Sequence, residues 1–156
     1  MTDQRNRRVY IDSNVFIYAV EGVTEIAAPA KDLIAFLREH RDLMFTSEIT
    51  IAEVLAPASG TGAWPLHIKR RPYMDLLIWS GAVTLVPVTR GILIDTAGLR
   101  TMARLKLPDA IHLSSAIQHD CRYLVTGDDD FKSLPRGMEL VQADETGIYN
   151  LLKALA

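Results

Sequence analysis

The sequence predicts an α/β fold: a single domain with a mainly parallel central sheet of about five strands and helices on both faces. Short β-rich runs alternate with longer segments of helical periodicity, which is typical of parallel strands joined by crossover helices. The 156 residues, 49% hydrophobic and 23% charged, suffice for one hydrophobic core and do not have the composition of a disordered chain. We therefore predict that residues 1–156 form one α/β domain.

The first half of the chain begins with a strand, a turn and a helix. The strand is predicted over residues 8–11, the turn over 12–14 and the helix from 15 to 20. Residues 28–40 have apolar side chains at helical spacing, and residues 43–46 form a second short strand. A helix over 48–55, with Ser47 as its N-cap, is followed by a surface loop rich in proline and glycine between 57 and 65.

The second half continues the alternation. Residues 72–79 have a helical pattern, 84–88 a strand pattern and 91–105 a helical pattern that Pro108 ends. A helix is predicted over 109–120, with a core stripe that includes Ala110, Leu113 and Ala116. A strand over 123–126, a weaker one over 140–142 and a helix over 148–155 complete the chain.

The charge balance restricts how the chain can bind nucleic acid. A net charge of −2 gives no overall attraction to a polyanion, so binding would depend on local basic patches. A short basic run is also typical of an ordinary solvated face. The two candidate patches are Arg5, Arg7 and Arg8, and Lys69, Arg70 and Arg71.

The cellular compartment is indicated by what the sequence lacks. Cys121 is the only cysteine, which excludes an intrachain disulfide and a cysteine-based zinc site. The N-terminal segment has no signal-peptide pattern, and no apolar run reaches the length of a membrane span. We expect a cytoplasmic protein without a membrane partner.

Two aspartates directly follow predicted strands. Asp12 comes after Val9–Ile11, and Asp128 comes two residues after the strand that ends at Thr126. In open α/β sheets the active site lies beyond the carboxyl ends of the strands, so these carboxylates converge if the two strands are parallel neighbours. Each aspartate also has a structural interpretation, as a turn or N-cap residue.

Two further acids are ambiguous when each is considered alone. Asp109 lies at a predicted helix start beside Pro108, where helix capping would explain it. Glu53 lies within a predicted helix between apolar residues, and an isolated glutamate there usually points to solvent.

Four segments together carry a resemblance to a known family. They are VYIDSNVFIY at 9–18, TSEITIAEVL at 46–55, KLPDAIHLSSA at 106–116 and LVTGDDDF at 124–131. In this order and spacing the chain resembles the PIN-domain ribonucleases, specifically the VapC-type toxins of type II toxin–antitoxin pairs. The similarity extends over nearly the whole length.

The resemblance implies roles for individual residues. Asp12, Glu53, Asp109 and Asp128 would form the catalytic acidic quartet, with Asp12, Asp109 and Asp128 as metal ligands and Glu53 orienting or deprotonating water. Ser13, Asn14 and Thr126 would be supporting polar residues, and Asp130 could add a fifth carboxylate. One departure concerns the fourth motif, in which the family commonly has asparagine where this chain has Gly127.

Physical chemistry favours a metal at such a site. Two like charges about 4 Å apart repel by roughly 4 kcal/mol at an effective dielectric constant near 20, so four carboxylates need protonation or a cation. An all-oxygen acidic site suits Mg²⁺ or Mn²⁺. His112 lies one helical turn from Asp109, but a lone histidine without zinc-type spacing is more often structural.

The predicted activity is therefore metal-dependent endoribonuclease cleavage, with RNA as substrate and Lys69, Arg70 and Arg71 as contacts to its phosphates. The resemblance also implies a cognate antitoxin and a toxin homodimer. One alternative is a non-catalytic PIN module that binds RNA or protein. Another is an aspartyl-phosphate phosphatase with Asp12 as nucleophile, although such enzymes usually carry an aspartate where this chain has Asn14.

Overall fold

The computed structural model describes residues 2–22, 25–56 and 64–156, except the side chains of Thr2 and Asp3. In these ranges the strands are β1 (Val9–Ile11), β2 (Met44–Ser47), β3 (Val83–Val86), β4 (Tyr123–Thr126) and β5 (Glu139–Gln142). They form one sheet with the order β3-β2-β1-β4-β5, and every neighbouring pair is parallel. The predicted α/β fold is confirmed, and each predicted strand lies within two residues of an observed one.

The helices connect the strands as crossovers and extend the chain at both ends. They are α1 (Thr2–Arg5), α2 (Ser13–Glu21), α3 (Ala27–Glu39), α4 (Ile49–Leu55), α5 (Leu66–Met74), α6 (Arg90–Ala103), α7 (Leu107–Gln118) and α8 (Glu145–Leu155). A π-helical turn, Asp75–Trp79, continues α5. No helix in the described ranges is long and apolar enough to cross a bilayer.

The sheet has a separate apolar cluster on each face, because successive side chains of a strand point to opposite sides. Val9 and Ile11 pack with apolar residues of α2, α3 and α8 on one face. Tyr10 packs on the other face with residues of α6 and α7, among them Ile92 and Leu113. Helices therefore cover both faces, as predicted.

Several helix boundaries differ from the predicted ones. The helix predicted from Asp109 begins at Leu107 instead, because Pro108 fits the first turn, where its missing N–H would have no intrahelical partner. The helix predicted over 72–79 begins at Leu66 and includes Pro72. Its first six residues, LHIKRR, combine two apolar residues with a basic run and lack helical apolar periodicity, so the sequence pattern did not reveal them. The predicted loop over 57–65 lies mostly outside the described residues, which resume at residue 64.

The fold buries two residues with reactive or polar side chains, Ser47 and Cys121. Ser47 at the end of β2 is fully buried, and its hydroxyl oxygen accepts a hydrogen bond from the Ile49 amide in the first turn of α4, at 3.2 Å. Cys121, which directly precedes the segment leading into β4, belongs to the cluster beneath α6 and α7. Burial raises the pKa of the Cys121 thiol to about 12.

Candidate active site

Three aspartates meet at the carboxyl end of the central strands. β1 and β4 are parallel neighbours with Ile11 opposite Val125, so Asp12 and Asp128 leave the same edge of the sheet. Asp109 reaches the same place from the first turn of α7. One carboxylate oxygen from each of Asp12, Asp109 and Asp128 lies within 4.8 Å of the others. We call these three residues the aspartate cluster.

Asp12 is the most constrained member of the cluster. It is 2% exposed and is the N-cap residue of α2. Its Oδ1 accepts a hydrogen bond from the Ser13 amide at 2.8 Å, and its Oδ2 accepts one from the Thr126 hydroxyl at 2.7 Å. These donors fix the orientation of the carboxylate, and the helix N-terminus adds partial positive charge beside it.

The predicted supporting residues connect the β1 and β4 ends of the site. The Thr126 hydroxyl oxygen also accepts a hydrogen bond from the Asp128 amide at 3.0 Å. The Gly127 amide donates to Asn14 Oδ1 at 3.1 Å, while Asn14 Nδ2 lies 3.5 Å from Asp12 Oδ2. Ser13 contributes its backbone amide. The two loops that carry Asp12 and Asp128 are therefore hydrogen-bonded to each other.

Gly127 has a neighbour that the sequence did not indicate. A Cβ atom at this position would lie 2.7 Å from the Tyr18 hydroxyl oxygen. The Tyr18 ring on α2 thus takes up space that a side chain at position 127 would need. Burial raises the pKa of the Tyr18 hydroxyl, and the charges of Asp128 and Asp12 raise it further. Tyr18 therefore borders the aspartate cluster.

The cluster concentrates negative charge in a partly dry environment. Burial, together with repulsion from Asp12, Asp128 and Asp130, raises the pKa of Asp109 to about 6, and the charge of His112 opposes this shift. Burial also raises the pKa of Asp128, followed by the charges of Asp12 and Asp130. Three oxygen donors at this spacing, with repulsion that a cation would relieve, fit a hard divalent ion such as Mg²⁺ or Mn²⁺.

Glu53 reaches the site through a histidine. Its side chain on α4 is 30% exposed, and its Oε1 lies 2.6 Å from His112 Nε2. His112 Nε2 is also 3.4 Å from Asp12 Oδ1. Burial lowers the pKa of His112, but the hydrogen bond to Glu53 and the charge of Asp12 outweigh this, so the pKa is raised. The predicted fourth acid therefore lies beside the cluster, with His112 between Glu53 and Asp12.

His112 is the residue whose part in the site the sequence left open. It follows Asp109 by three residues on α7, and residues at that spacing share a helix face, so the sequence allowed it to approach the site. A lone histidine without zinc-type spacing favoured a structural role, and the sequence did not indicate its contact with Glu53.

Two further predicted residues are not among the three aspartates of the cluster. Asp130 is exposed, and its Oδ2 lies 3.8 Å from Lys106 Nζ, while its charge raises the pKa values of Asp109 and Asp128. Lys69 is 2% exposed, and its ammonium donates to the Ala56 carbonyl at 2.6 Å. An exposed RNA contact does not fit this placement of Lys69, because packing of α5 against α4 turns the side chain inward. Arg70 and Arg71 are exposed.

Comparison with known proteins identifies the family. The PIN domain model matches residues 9–137. The chain belongs to the PIN domain family. This confirms the resemblance that the four segments carry, and it agrees with the single α/β domain of the structure.

Two solved structures have a fold similar to that of this chain. A chain of a toxin-antitoxin complex from Klebsiella pneumoniae is 28% identical, with a TM-score of 0.63 over 88% of this chain and 98% of that one. A chain of VapBC2 from Rickettsia felis, bound to a DNA fragment from the promoter, is 18% identical, with a TM-score of 0.61 over 86% and 97%. The second likeness shows the fold alone. No curated protein sequence gives a significant match.

Proposed function

We propose that this PIN domain is a divalent-metal-dependent endoribonuclease and the VapC-type toxin of a toxin–antitoxin pair. The observation that carries the proposal is the aspartate cluster, in which oxygens of Asp12, Asp109 and Asp128 lie within 4.8 Å of one another. Membership of the PIN family and the toxin–antitoxin neighbours support a nuclease toxin at the level of the family.

Each acid has a role in the proposed hydrolysis of an RNA phosphodiester bond. Asp12, Asp109 and Asp128 hold Mg²⁺ or Mn²⁺, and Glu53 orients or deprotonates the attacking water. When bound, the cation supplies positive charge against the phosphate and activates water. The buried donors to Asp12 keep its carboxylate in place before substrate arrives, so little reorganisation is needed during the reaction.

Metal removal tests the proposed chemistry. We expect purified protein to cut RNA with Mn²⁺ or Mg²⁺, and to lose at least about 99% of its rate in excess EDTA, because a bound cation contributes several kcal/mol to such reactions. Readdition of Mn²⁺ restores the rate. Unchanged cleavage in EDTA would contradict metal dependence. Protein that neither cuts RNA nor gains thermal stability with Mn²⁺ would favour a non-catalytic binding module.

The partners of the proposed toxin are an RNA substrate, a cognate antitoxin and a second copy of the chain, and its proposed place of action is the cytoplasm. Expression of the protein alone should arrest growth, and co-expression of a small neighbouring open reading frame should relieve the arrest. Sequencing of RNA ends from arrested cells identifies the RNA that is cut. Normal growth in the presence of active protein would count against the toxin role.

The exposed arginines of α5 are the proposed contacts to the RNA backbone. Replacing Arg70 and Arg71 by alanine should weaken binding of single-stranded RNA about tenfold near 0.1 M salt and reduce the log–log salt slope by about 1.4, because two phosphate contacts are lost. Fluorescence anisotropy at several salt concentrations, in EDTA to prevent cleavage, measures both effects. Lys69→Met is the matched control, since loss of its buried bond to Ala56 should lower the melting temperature without changing the salt slope. An unchanged slope in the double variant would reject this assignment.

A further inference from the structure

A buried histidine connects the acid on α4 with the aspartate after β1. His112 is 1% exposed, although both of its ring nitrogens have polar neighbours. Nε2 lies 2.6 Å from Glu53 Oε1, and Nδ1 lies 2.7 Å from the Tyr10 hydroxyl. The imidazole therefore extends from the interior of the sheet to the edge of the aspartate cluster.

The hydrogen bonds around Tyr10 indicate which nitrogen carries hydrogen. The Ser47 amide donates to the Tyr10 hydroxyl oxygen at 2.9 Å, which leaves the phenol hydrogen available for His112 Nδ1. A neutral imidazole whose Nδ1 accepts must carry its hydrogen on Nε2. A charged imidazole carries hydrogen on both nitrogens. In either form, an N–H group faces Glu53.

Glu53 needs such a donor to stay at the site. Its side chain is 30% exposed, and it approaches the same His112 nitrogen as Asp12, whose like charge repels it. Water is within reach, so an unrestrained glutamate would turn outward. The short bond from a side chain that is itself buried offsets this tendency.

We propose that His112 is a positioning residue, whose Nε2–H holds the Glu53 carboxylate beside Asp12 in the arrangement that water activation needs. The inference rests on the proposed nuclease function and deepens it. Tyr10 and the Ser47 amide complete the chain of hydrogen bonds by fixing the ring from the other side. A histidine that only filled the core would affect stability but would not act through Glu53.

Kinetics of substituted full-length proteins test the proposal. In His112→Leu, kcat for RNA should fall at least about fiftyfold, as expected for loss of a positioned base, while KM and Mn²⁺ affinity stay within about threefold. In His112→Gln, whose amide N–H can reach Glu53, kcat should stay within about tenfold of wild type. His40→Gln, at the end of α3, is the matched control and should leave kcat unchanged. Equal kcat losses in the Gln and Leu variants would overturn the proposal.

A double-mutant cycle separates positioning from a purely structural role. Glu53→Gln alone should lower kcat about a hundredfold, and adding His112→Leu should lower it by less than about threefold more, because both changes remove one function. Multiplicative losses would show that His112 acts independently of Glu53 and would overturn the proposal.

A spectroscopic measurement avoids any dependence on cleavage or on the folding of His112→Leu. In metal-free protein, the hydrogen-bonded Nε2–H proton of His112 should give a downfield NMR signal, assigned by its loss in His112→Gln. Glu53→Ala should move this signal upfield. A signal that Glu53→Ala does not move would refute the inferred contact. If the signal moves but the protein has no nuclease activity, the contact between His112 and Glu53 is supported and the nuclease proposal is rejected.

Discussion

Replacing Asp12 by asparagine should lower the rate of RNA cleavage by at least about a thousandfold, because it removes the central negative charge of the proposed metal site. Asp12 is 2% exposed, and Ser13 and Thr126 hold its two carboxylate oxygens. Asparagine has the same shape and retains an oxygen that can accept the Ser13 hydrogen bond. We therefore expect the loss of cleavage rate to result from the missing negative charge at the site, because the fold is retained.

Initial rates of RNA cleavage at saturating Mn²⁺ measure this effect, and circular dichroism checks the fold. The stabilisation of wild-type protein by Mn²⁺, read as a rise in melting temperature, should disappear in Asp12→Asn. Asp95→Asn makes the same change of charge at an exposed position of α6 and should leave rate and stabilisation unaltered. An Asp12→Asn protein with more than about a tenth of the wild-type rate would place the chemistry elsewhere.

Replacing Asp109 by asparagine should stabilise the metal-free protein at neutral pH, although it should abolish the proposed metal binding. The pKa of Asp109 rises from an ordinary 3.8 to about 6 through burial and repulsion by Asp12 and Asp128. That difference corresponds to roughly 3 kcal/mol of destabilisation by the charged carboxylate. We expect a gain of about 1 to 2 kcal/mol, because a buried amide also needs hydrogen-bond partners.

The pH dependence of this effect has a defined sign. Because the folded-state pKa of Asp109 is raised, the folded protein binds more protons than the unfolded chain between pH 3.8 and about 6. The destabilisation is therefore absent below this window, grows as pH rises through it and is complete above it. Asp109→Asn should remove this part of the pH dependence.

Urea unfolding in EDTA between pH 4.5 and 7.5 measures the difference between Asp109→Asn and wild type. The free energy of unfolding of the variant should exceed that of wild type most at pH 7.5. Addition of Mn²⁺ should make wild type the more stable protein, because we expect only wild type to bind the ion tightly. Asp130→Asn, at an exposed carboxylate paired with Lys106, should have a much smaller effect. Lower stability of Asp109→Asn in EDTA at pH 7.5 would mean that this carboxylate stabilises the fold.

The sheet and the convergence of its acids could be predicted from sequence because they depend on local patterns. Hydrophobic runs located β1 and β4, and parallel pairing places the residues that follow them at one edge. Asp12 and Asp128 were predicted on this basis. Asp109 and Glu53 needed the resemblance to a family, since each alone had an adequate structural explanation.

Other features of the site depend on packing that a linear pattern does not contain. The hydrogen-bond partners of His112 come from β1 and α4, far away in the chain. Tyr18 borders the site because it occupies the space beside Gly127. The burial of Lys69 depends on the packing of α5 on α4, which the sequence does not reveal. The contacts of each of these residues can be recognised only when the position of a second helix or strand is known.

The buried Cys121 thiol, whose pKa burial raises to about 12, is almost wholly protonated at neutral pH and shielded from reagents. Maleimides and spin labels need an accessible thiolate, so they should leave it untouched. A single cysteine introduced on the surface would then be the sole reactive thiol. Fluorophores could be attached at chosen positions without first removing the native cysteine.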